Sequence, residues 1–317
     1  MSSEDFCQKV QDIVSNYSLQ EQIYKILTSI TNDDIEFNNT EFWLDEDVED
    51  KLLQCIVGEV DTSARLFRYT TANTLQRILT ESTHSMVSLA SMNDPSEINY
   101  AKNYLLRCGM PKEQTTPTED SVHIFIVSMS DKHEDDLTMW RFYGDDCKGV
   151  SLEYTAEIES KWKNYFLLSH VSYAREDGKH PELDFISELS HLTIENRSFR
   201  LKRWHLWQHF FKPFEYSIEK EVRLLMLCEK LDSKVFNIKR VWVSTSYGII
   251  TPIVILPLKS KDQNDIPFPL QLKGVTLGCK FPEKGINSMT LRALSEDTDG
   301  IVTKDFYVKV SKIDNYR

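Results

Sequence analysis

Residues 217–228, Ser-Ile-Glu-Lys-Glu-Val-Arg-Leu-Leu-Met-Leu-Cys, constrain the fold most, because their side chains alternate as in a β-strand. One side of this strand would carry Glu219, Glu221 and Arg223, and the other side would be apolar. After Arg223 both sides become apolar, which predicts a strand that enters a buried sheet with its charged end at the rim. Two carboxylates and a guanidinium are costly to bury unpaired, so this end is either a surface ion-pair ladder or a functional site.

The composition is that of an ordinary globular protein, with 317 residues of which 41% are hydrophobic and 27% charged. A net charge of −12 argues against broad electrostatic binding to a nucleic-acid backbone. The six cysteines are widely spaced and form no CxxC pair, and there is neither a signal-like N-terminus nor an 18-residue apolar run. We therefore expect a cytoplasmic protein with reduced thiols and no membrane segment.

The chain divides by character near residue 60. Residues 1–60 are acidic and show helical periodicity, which predicts a helical N-terminal region that caps the protein, mediates self-association or contacts a regulator. Residues 61–317 mix strands and helices without a βαβ rhythm. This mixture predicts an α+β fold with mixed, largely antiparallel sheets.

Periodicity and turn residues place the individual elements of the second region. The predicted strands besides the one above are residues 66–69, 86–89, 122–127, 149–154, 170–174, 236–243, 249–258, 274–281 and 306–313. The predicted helices are residues 70–79, 98–108, 135–143 and 283–294, with further helices in an aromatic stretch at 181–212. His205 and His209 have the spacing of two metal ligands on a helix, but no third ligand accompanies them, so we favour a packing role.

The motifs of the common nucleotide and hydrolase sites are missing from the sequence. It contains no GxGxxG, no Walker loop and no GxSxG. Polar residues nevertheless follow one another at strand ends: Arg68 on the first strand, Ser128 and Ser130 after the third, and Glu-Lys-Glu at 219–221. This order resembles that of the arginine–serine–glutamate ADP-ribosyltransferases.

A longer series of motifs resembles an uncharacterised bacterial family over residues 66–313. The series is Leu-Phe-Arg-Tyr at 66–69, Asn-Asp-Pro-x-Glu at 93–97, Ser130 with Met-Trp-Arg-x-Tyr at 139–143, Gly-Val-Ser-Leu-Glu at 149–153 and Glu-Lys-Glu-Val-Arg at 219–223. That family is similar to DarT-like ADP-ribosyltransferases and to abortive-infection phage-defence proteins. The first strand of DarT-like enzymes carries a His where this chain has Arg68.

The resemblance implies an ADP-ribosyltransferase-like core over residues 61–317 that uses NAD as substrate and needs no metal. Glu221 would stabilise the positive charge that develops on the ribose, and Glu219 would position the acceptor. Arg68 would bind the pyrophosphate, Ser130 would orient the ribose, and Trp140 or Tyr143 would stack on the nicotinamide. The remaining expected NAD-binding residues are Tyr69, Asn93 and Asp94.

Structural roles are the alternatives for the same residues. Asn93 and Asp94 would then form only a turn, Trp140 and Tyr143 would be core residues, and Arg68 would pair with Glu97 or Glu221. At the level of function, the alternatives to a toxin or defence effector are an NAD glycohydrolase and a non-enzymatic nucleotide-sensing module. The acceptor of ADP-ribose, whether protein, DNA, RNA or water, stays open.

Overall fold

The computed structural model of the protein describes residues 2–18, 20–91, 95–110, 123–227, 236–244, 250–296 and 302–313. The chain forms two compact units. Unit 1 comprises Met1–Glu59, Met92–Ser121 and Ser169–Ile218, and unit 2 comprises Val60–Ser91, Val122–Leu168 and Glu219–Arg317. The chain passes from one unit to the other beside the predicted boundary at residue 60, but unit 1 also takes two later segments.

The described parts of the chain contain both helices and strands. The α-helices are Ser3–Val14, Gln20–Leu27, Glu46–Val57, Ala72–Glu81, Pro95–Ile98, Tyr100–Arg107, Leu137–Tyr143, Pro181–Ser190, Trp204–Trp207 and Lys284–Glu296. The strands are β1 Ile35–Phe37, β2 Glu41–Leu44, β3 Arg65–Thr70, β4 Thr83–Ser88, β5 Phe125–Ser130, β6 Val150–Thr155, β7 Phe166–His170, β8 Ser172–Tyr173, β9 Thr193–Ile194, β10 Arg197–Phe199, β11 Phe211–Lys212, β12 Glu221–Met226, β13 Lys239–Ser244, β14 Ile250–Pro257, β15 Leu272–Leu277 and β16 Val302–Val310.

Unit 1 is built around a small sheet with the strand order β1-β2-β10-β9. Helix Ser3–Val14, whose first turn is capped by the side chain of Ser2, contributes Phe6 to the core beneath this sheet. The ring of Phe6 lies 5.4 Å from that of Phe199, which in turn lies 5.2 Å from Phe42. The N-terminal segment therefore shares one core with residues near 199. It contains the predicted helices and, in addition, the hairpin of β1 and β2.

Unit 2 contains the main sheet, with the strand order β13-β14-β4-β5-β3-β6-β15-β16. The registers between these strands are antiparallel except that of β15 with β16. Together with the helices, this architecture confirms the predicted α+β class with largely antiparallel sheets.

The sheet of unit 2 divides at β5. One edge of β5 pairs with β12 along its whole length, from Phe125 to Ser130. The other edge pairs with β4 at Phe125 and Ile126 and with β3 at Ser130. Neither β3 nor β4 pairs with Val127–Met129, the part of β5 that lies between these two contacts. The two strands are therefore separated there, and we call this opening the fork.

The two faces of the sheet differ in composition because successive side chains of a strand point to opposite sides. The core face carries the large apolar core of unit 2, including Leu66, Met86, Met129 and Leu224, against which helix Ala72–Glu81 buries three apolar residues. The opposite face, which we call the Trp140 face, carries a smaller cluster around that side chain.

The aromatic stretch at 181–212 differs from the prediction. Helix Pro181–Ser190 is present, but Phe199 and Phe211 lie in strands, and only Trp204–Trp207 is α-helical between them. The aromatic residues are buried from several short elements instead of one long helix, and local periodicity does not distinguish these cases. In the described parts of the chain no helix has the length and apolarity to cross a bilayer.

Candidate functional site

The start of β12 lies beside the end of the fork at which β3 pairs with β5. Glu221 pairs with Ser130 of β5, which pairs with Phe67 of β3. Side chains of directly paired residues lie on the same face of a sheet, so these three side chains are on the Trp140 face. Arg68 follows Phe67 and therefore points to the core face. The structure does not bring the side chains of Arg68 and Glu221 to one face.

Glu221 is held in a buried ion pair. Its Oε1 accepts a hydrogen bond of 2.7 Å from Nε of Arg223, and its Oε2 accepts one of 3.1 Å from Nη2. The two side chains are 5% and 2% exposed, and the pairing is bidentate. The expected pairing of Arg68 with Glu221 or Glu97 is wrong, since Glu97 lies 3.0 Å from Nζ of Lys212.

Glu219 is not part of the strand. It ends a 3-10 helix, Phe214–Glu219, and β12 begins two residues later, at Glu221. Lys220 between them has a φ of 45°, which turns the chain and breaks the predicted alternation. Glu219 is half-buried and accepts a 2.5 Å hydrogen bond from the hydroxyl of Tyr143. The two glutamates therefore have different environments.

Ser130 supports the turn between the glutamates. Its side chain is fully buried, and its Oγ donates a 2.9 Å hydrogen bond to the carbonyl of Lys220. The same Oγ accepts a 3.2 Å bond from the backbone N–H of Lys132. These bonds give Ser130 a positioning role, because they fix the left-handed residue that separates Glu219 from Glu221.

The two aromatic residues predicted to stack on a ligand are not equivalent. Trp140 is 0% exposed, donates a 2.7 Å hydrogen bond to Asp135 and packs edge-on against Tyr69 at 4.8 Å. The predicted stacking role of Trp140 is therefore wrong, because no face of its ring is accessible. Tyr143, on the same helix, is 46% exposed. Tyr69 is buried and its hydroxyl bonds backbone groups of His133 and Asp136.

A polar cluster lies on the core face, at the fork. Nη1 of Arg68 is 2.9 Å from Nε2 of His84, and the hydroxyl of Tyr154 is 3.1 Å from the same nitrogen. The ring of Phe268 stacks on the His84 imidazole with a centroid distance of 3.8 Å and an interplanar angle of 10°. We call Arg68, His84 and Tyr154 the fork cluster; it bridges β3, β4 and β6.

The fork cluster contains a cation with neutral partners. Burial, followed by the charge of Arg68, lowers the pKa of His84 well below its usual value, and burial raises the pKa of Tyr154. His84 is thus a neutral acceptor toward Arg68. Among the described residues no carboxylate pairs with Arg68. Burial lowers the pKa of the Arg68 guanidinium. A buried guanidinium whose partners among the described residues are uncharged is complementary to an anion.

Two further sequence expectations concern Asn93 and Asp94 and the absence of a metal site. Asn93 and Asp94 lie outside the described residues. In the ranges that the structure describes, no three His, Cys, Asp or Glu side chains are grouped as metal ligands would be.

Sequence reasoning missed His84, Tyr154 and Phe268. One signal was available, because His84 alternates with Met86 in Thr-His-Ser-Met-Val-Ser, which places a histidine on the apolar side of a strand. A buried polar side chain at such a position requires a partner. The partner itself, Arg68, lies on a different strand and could not be inferred from this pattern.

Comparison with protein families gives one match, which covers residues 139–224. The matching family is described as a protein of unknown function, DUF2971. These residues are similar to DUF2971. The match includes Trp140, Tyr143 and the start of β12 but ends before β13 and excludes Arg68. It confirms the predicted resemblance to a family without assigned function over this segment, while the likeness to DarT-like ADP-ribosyltransferases stays a prediction. Neither the curated proteins nor the solved structures gave a match.

Proposed function

We propose that the protein binds NAD in unit 2 and transfers its ADP-ribose group, acting as a toxin or phage-defence effector. The observation that carries the proposal is the fork cluster, in which Arg68 has neutral partners and no carboxylate among the residues described. A pyrophosphate supplies the anionic oxygens that such a guanidinium binds in bidentate geometry. We propose NAD as the ligand that carries this pyrophosphate because the motif series resembles that of ADP-ribosyltransferases.

The distance across the sheet suits an extended ligand. Phe67, Ser130 and Glu221 are paired in sequence across β3, β5 and β12. Two strand spacings of about 4.8 Å separate β3 from β12, so the backbone beside Arg68 is about 10 Å from the start of β12. A pyrophosphate at the fork would therefore lie about 10 Å from the turn at Lys220, and the ligand would pass through the fork to bring its nicotinamide ribose to Glu219, beside the helix of the Trp140 face.

The reaction breaks the bond between C1 of the ribose and the nicotinamide nitrogen. The electron pair of this bond leaves with nicotinamide, which departs as a neutral molecule, and the ribose becomes positively charged until the acceptor adds to C1 and releases a proton. A carboxylate beside C1 stabilises that charge. We assign this role to Glu219, which is half-buried beside Tyr143 at the turn, because Glu221 is committed to a bidentate pair with Arg223.

The proposal is tested by calorimetric titration with NAD and by release of nicotinamide. Arg68→Gln should weaken NAD binding at least tenfold, since it removes a charge-assisted contact worth about 1.5–3 kcal/mol. Arg77→Gln is the matched control, because Arg77 is an exposed arginine of the following helix that pairs with Glu81. Wild-type protein that does not bind NAD, or an Arg68→Gln variant that binds it normally, would show that the proposal is wrong.

One observation favours a second function, a nucleotide-binding module without catalysis. The carboxylate expected to stabilise the ribose charge, Glu221, is buried in a bidentate pair with Arg223. The same two assays distinguish the functions, because a binding module takes up NAD with the Arg68 dependence described above but releases no nicotinamide. Release of nicotinamide without labelling of any macromolecule would identify an NAD glycohydrolase.

A further inference from the structure

Unit 2 contains a cavity of about 640 Å³ beside the fork cluster. Its apolar wall is formed by Trp162, Leu258, Phe268 and the two prolines that flank Phe268. Phe268 belongs to both features, because it lines the cavity and stacks on His84. The cavity and the fork cluster are thus separated by a single aromatic ring.

The rim of the cavity is cationic in an acidic protein. Lys161, Lys259 and Lys304 line it together with two carboxylates, Glu159 and Asp305. Each carboxylate has a lysine partner: Glu159 lies 2.8 Å from Lys161, and Asp305 lies 3.3 Å from Lys273, which is outside the cavity. Lys304 has no ionic partner among the described residues. The rim therefore attracts an anionic ligand.

The shape and chemistry of the lining favour a flat, apolar-faced group that carries a phosphate. Flat aromatic and proline surfaces pack on planar rings, and a volume of a few hundred Å³ is that of a small-molecule pocket. A phosphate attached to such a ring would meet Lys304 at the rim. Adenine nucleotides combine both properties.

We propose that this cavity binds the adenine ring of a nucleotide, with the phosphate directed toward the cationic groups. The inference deepens the proposed function, on which it rests for the identity of the ligand as the adenine half of NAD. The cavity would hold the adenine, and Arg68, which contacts the edge of the His84 ring on which Phe268 stacks, would bind the pyrophosphate. The site is independent of catalysis, since it requires neither Glu219 nor Glu221.

The test uses AMP, which has the ring and one phosphate, against ribose 5-phosphate, which lacks the ring. AMP should bind at least tenfold more tightly to the full-length protein in calorimetric titration. Leu258→Trp fills the cavity and should weaken AMP binding at least tenfold. Lys304→Glu reverses a rim charge and should weaken it about fivefold, whereas Lys239→Glu, the same change at an exposed residue of β13, should leave it within about twofold.

The outcomes separate this inference from the proposed function. Equal affinities for AMP and ribose 5-phosphate would overturn the inference, as would normal AMP binding by a folded Leu258→Trp variant or by Lys304→Glu. If NAD turnover depends on Arg68 but is normal in Leu258→Trp, the inference fails and the function stands. If AMP binding follows the cavity variants but NAD releases no nicotinamide, the inference stands and the transferase function fails.

Discussion

Replacing Glu221 with Gln tests whether the start of β12 is held together by its buried ion pair. The substitution keeps the shape of the side chain and removes its charge. Arg223, which is 2% exposed, then lacks the compensating charge of Glu221 in a poorly solvated environment. The expected result is a large loss of stability, because a buried charge that loses its partner costs far more than an exposed one.

The magnitude follows from the geometry. Breaking a buried pair by removing one partner costs about 3–5 kcal/mol, and Gln retains one hydrogen bond to the guanidinium, so we expect about 3 kcal/mol. A protein of this size loses about 2 °C in melting temperature for each kcal/mol. Glu221→Gln should therefore lower the melting temperature by about 6 °C.

The control is the same substitution at Glu219, two residues earlier. Glu219 is half-buried, so its charge is less desolvated than that of Glu221, and Glu219→Gln should change the free energy of unfolding by less than about 1 kcal/mol. A double variant, Glu221→Gln with Arg223→Met, removes both charges of the pair and should recover part of the loss. Urea denaturation measures all three free energies.

Two results would refute this reasoning. Equal melting temperatures for Glu221→Gln and Glu219→Gln would show that burial of the pair does not determine its energetic role. A double variant less stable than Glu221→Gln alone would show that Arg223 is stabilised by other contacts.

Nicotinamide release, measured at a temperature where all variants are folded, should fall at least a hundredfold in Glu219→Gln and less in Glu221→Gln.

Two further predictions concern a pH dependence and the aromatic residues. Burial raises the pKa of Glu49 to about 8 from an ordinary value near 4.5. The folded state then binds an additional proton between these values, so the free energy of unfolding should fall as the pH rises from about 5 to about 8. Glu49→Gln should remove this slope in urea denaturation; an unchanged slope would contradict the assignment. Trp140→Phe should lower the free energy of unfolding by about 1–3 kcal/mol through loss of the Asp135 bond and of volume. Tyr143→Phe should leave stability nearly unchanged and reduce nicotinamide release; the opposite pattern in melts and activity would contradict both roles.

Local patterns predicted the individual elements well. Residues 222–226 alternate with their apolar side chains on the core face, and the helix predicted at 70–79 is present as Ala72–Glu81. These elements follow from the period of the hydrophobic residues and from the threonine cap at Thr71, which are properties of neighbouring residues. The α+β class follows from their order.

Long-range pairing could not be predicted in the same way. The hydrogen bond from Ser130 to Lys220 joins residues 90 positions apart, and no local pattern indicates that β12 lies beside β5. The fork arises because β3 and β4 pair with different parts of β5, and it decides that Arg68 contacts His84 and not Glu221. The motif order suggested one cluster of side chains, whereas sheet register places them on two faces.

The turn at Lys220 explains why two glutamates that look equivalent in the sequence cannot have the same role. Strand alternation alone would place Glu219 and Glu221 side by side on one face. The left-handed conformation of Lys220, fixed by Ser130, ends this alternation and leaves Glu219 near the half-exposed ring of Tyr143 while Glu221 enters the sheet beside Arg223. A buried carboxylate in a bidentate pair has its charge compensated before any ligand arrives, whereas Glu219 is half-buried at the end of a 3-10 helix. Differences of this kind between neighbouring carboxylates commonly separate a structural from a chemical role. The chemistry proposed for the start of β12 therefore depends on Glu219, which precedes the strand, and β12 itself holds the turn at Lys220 in place.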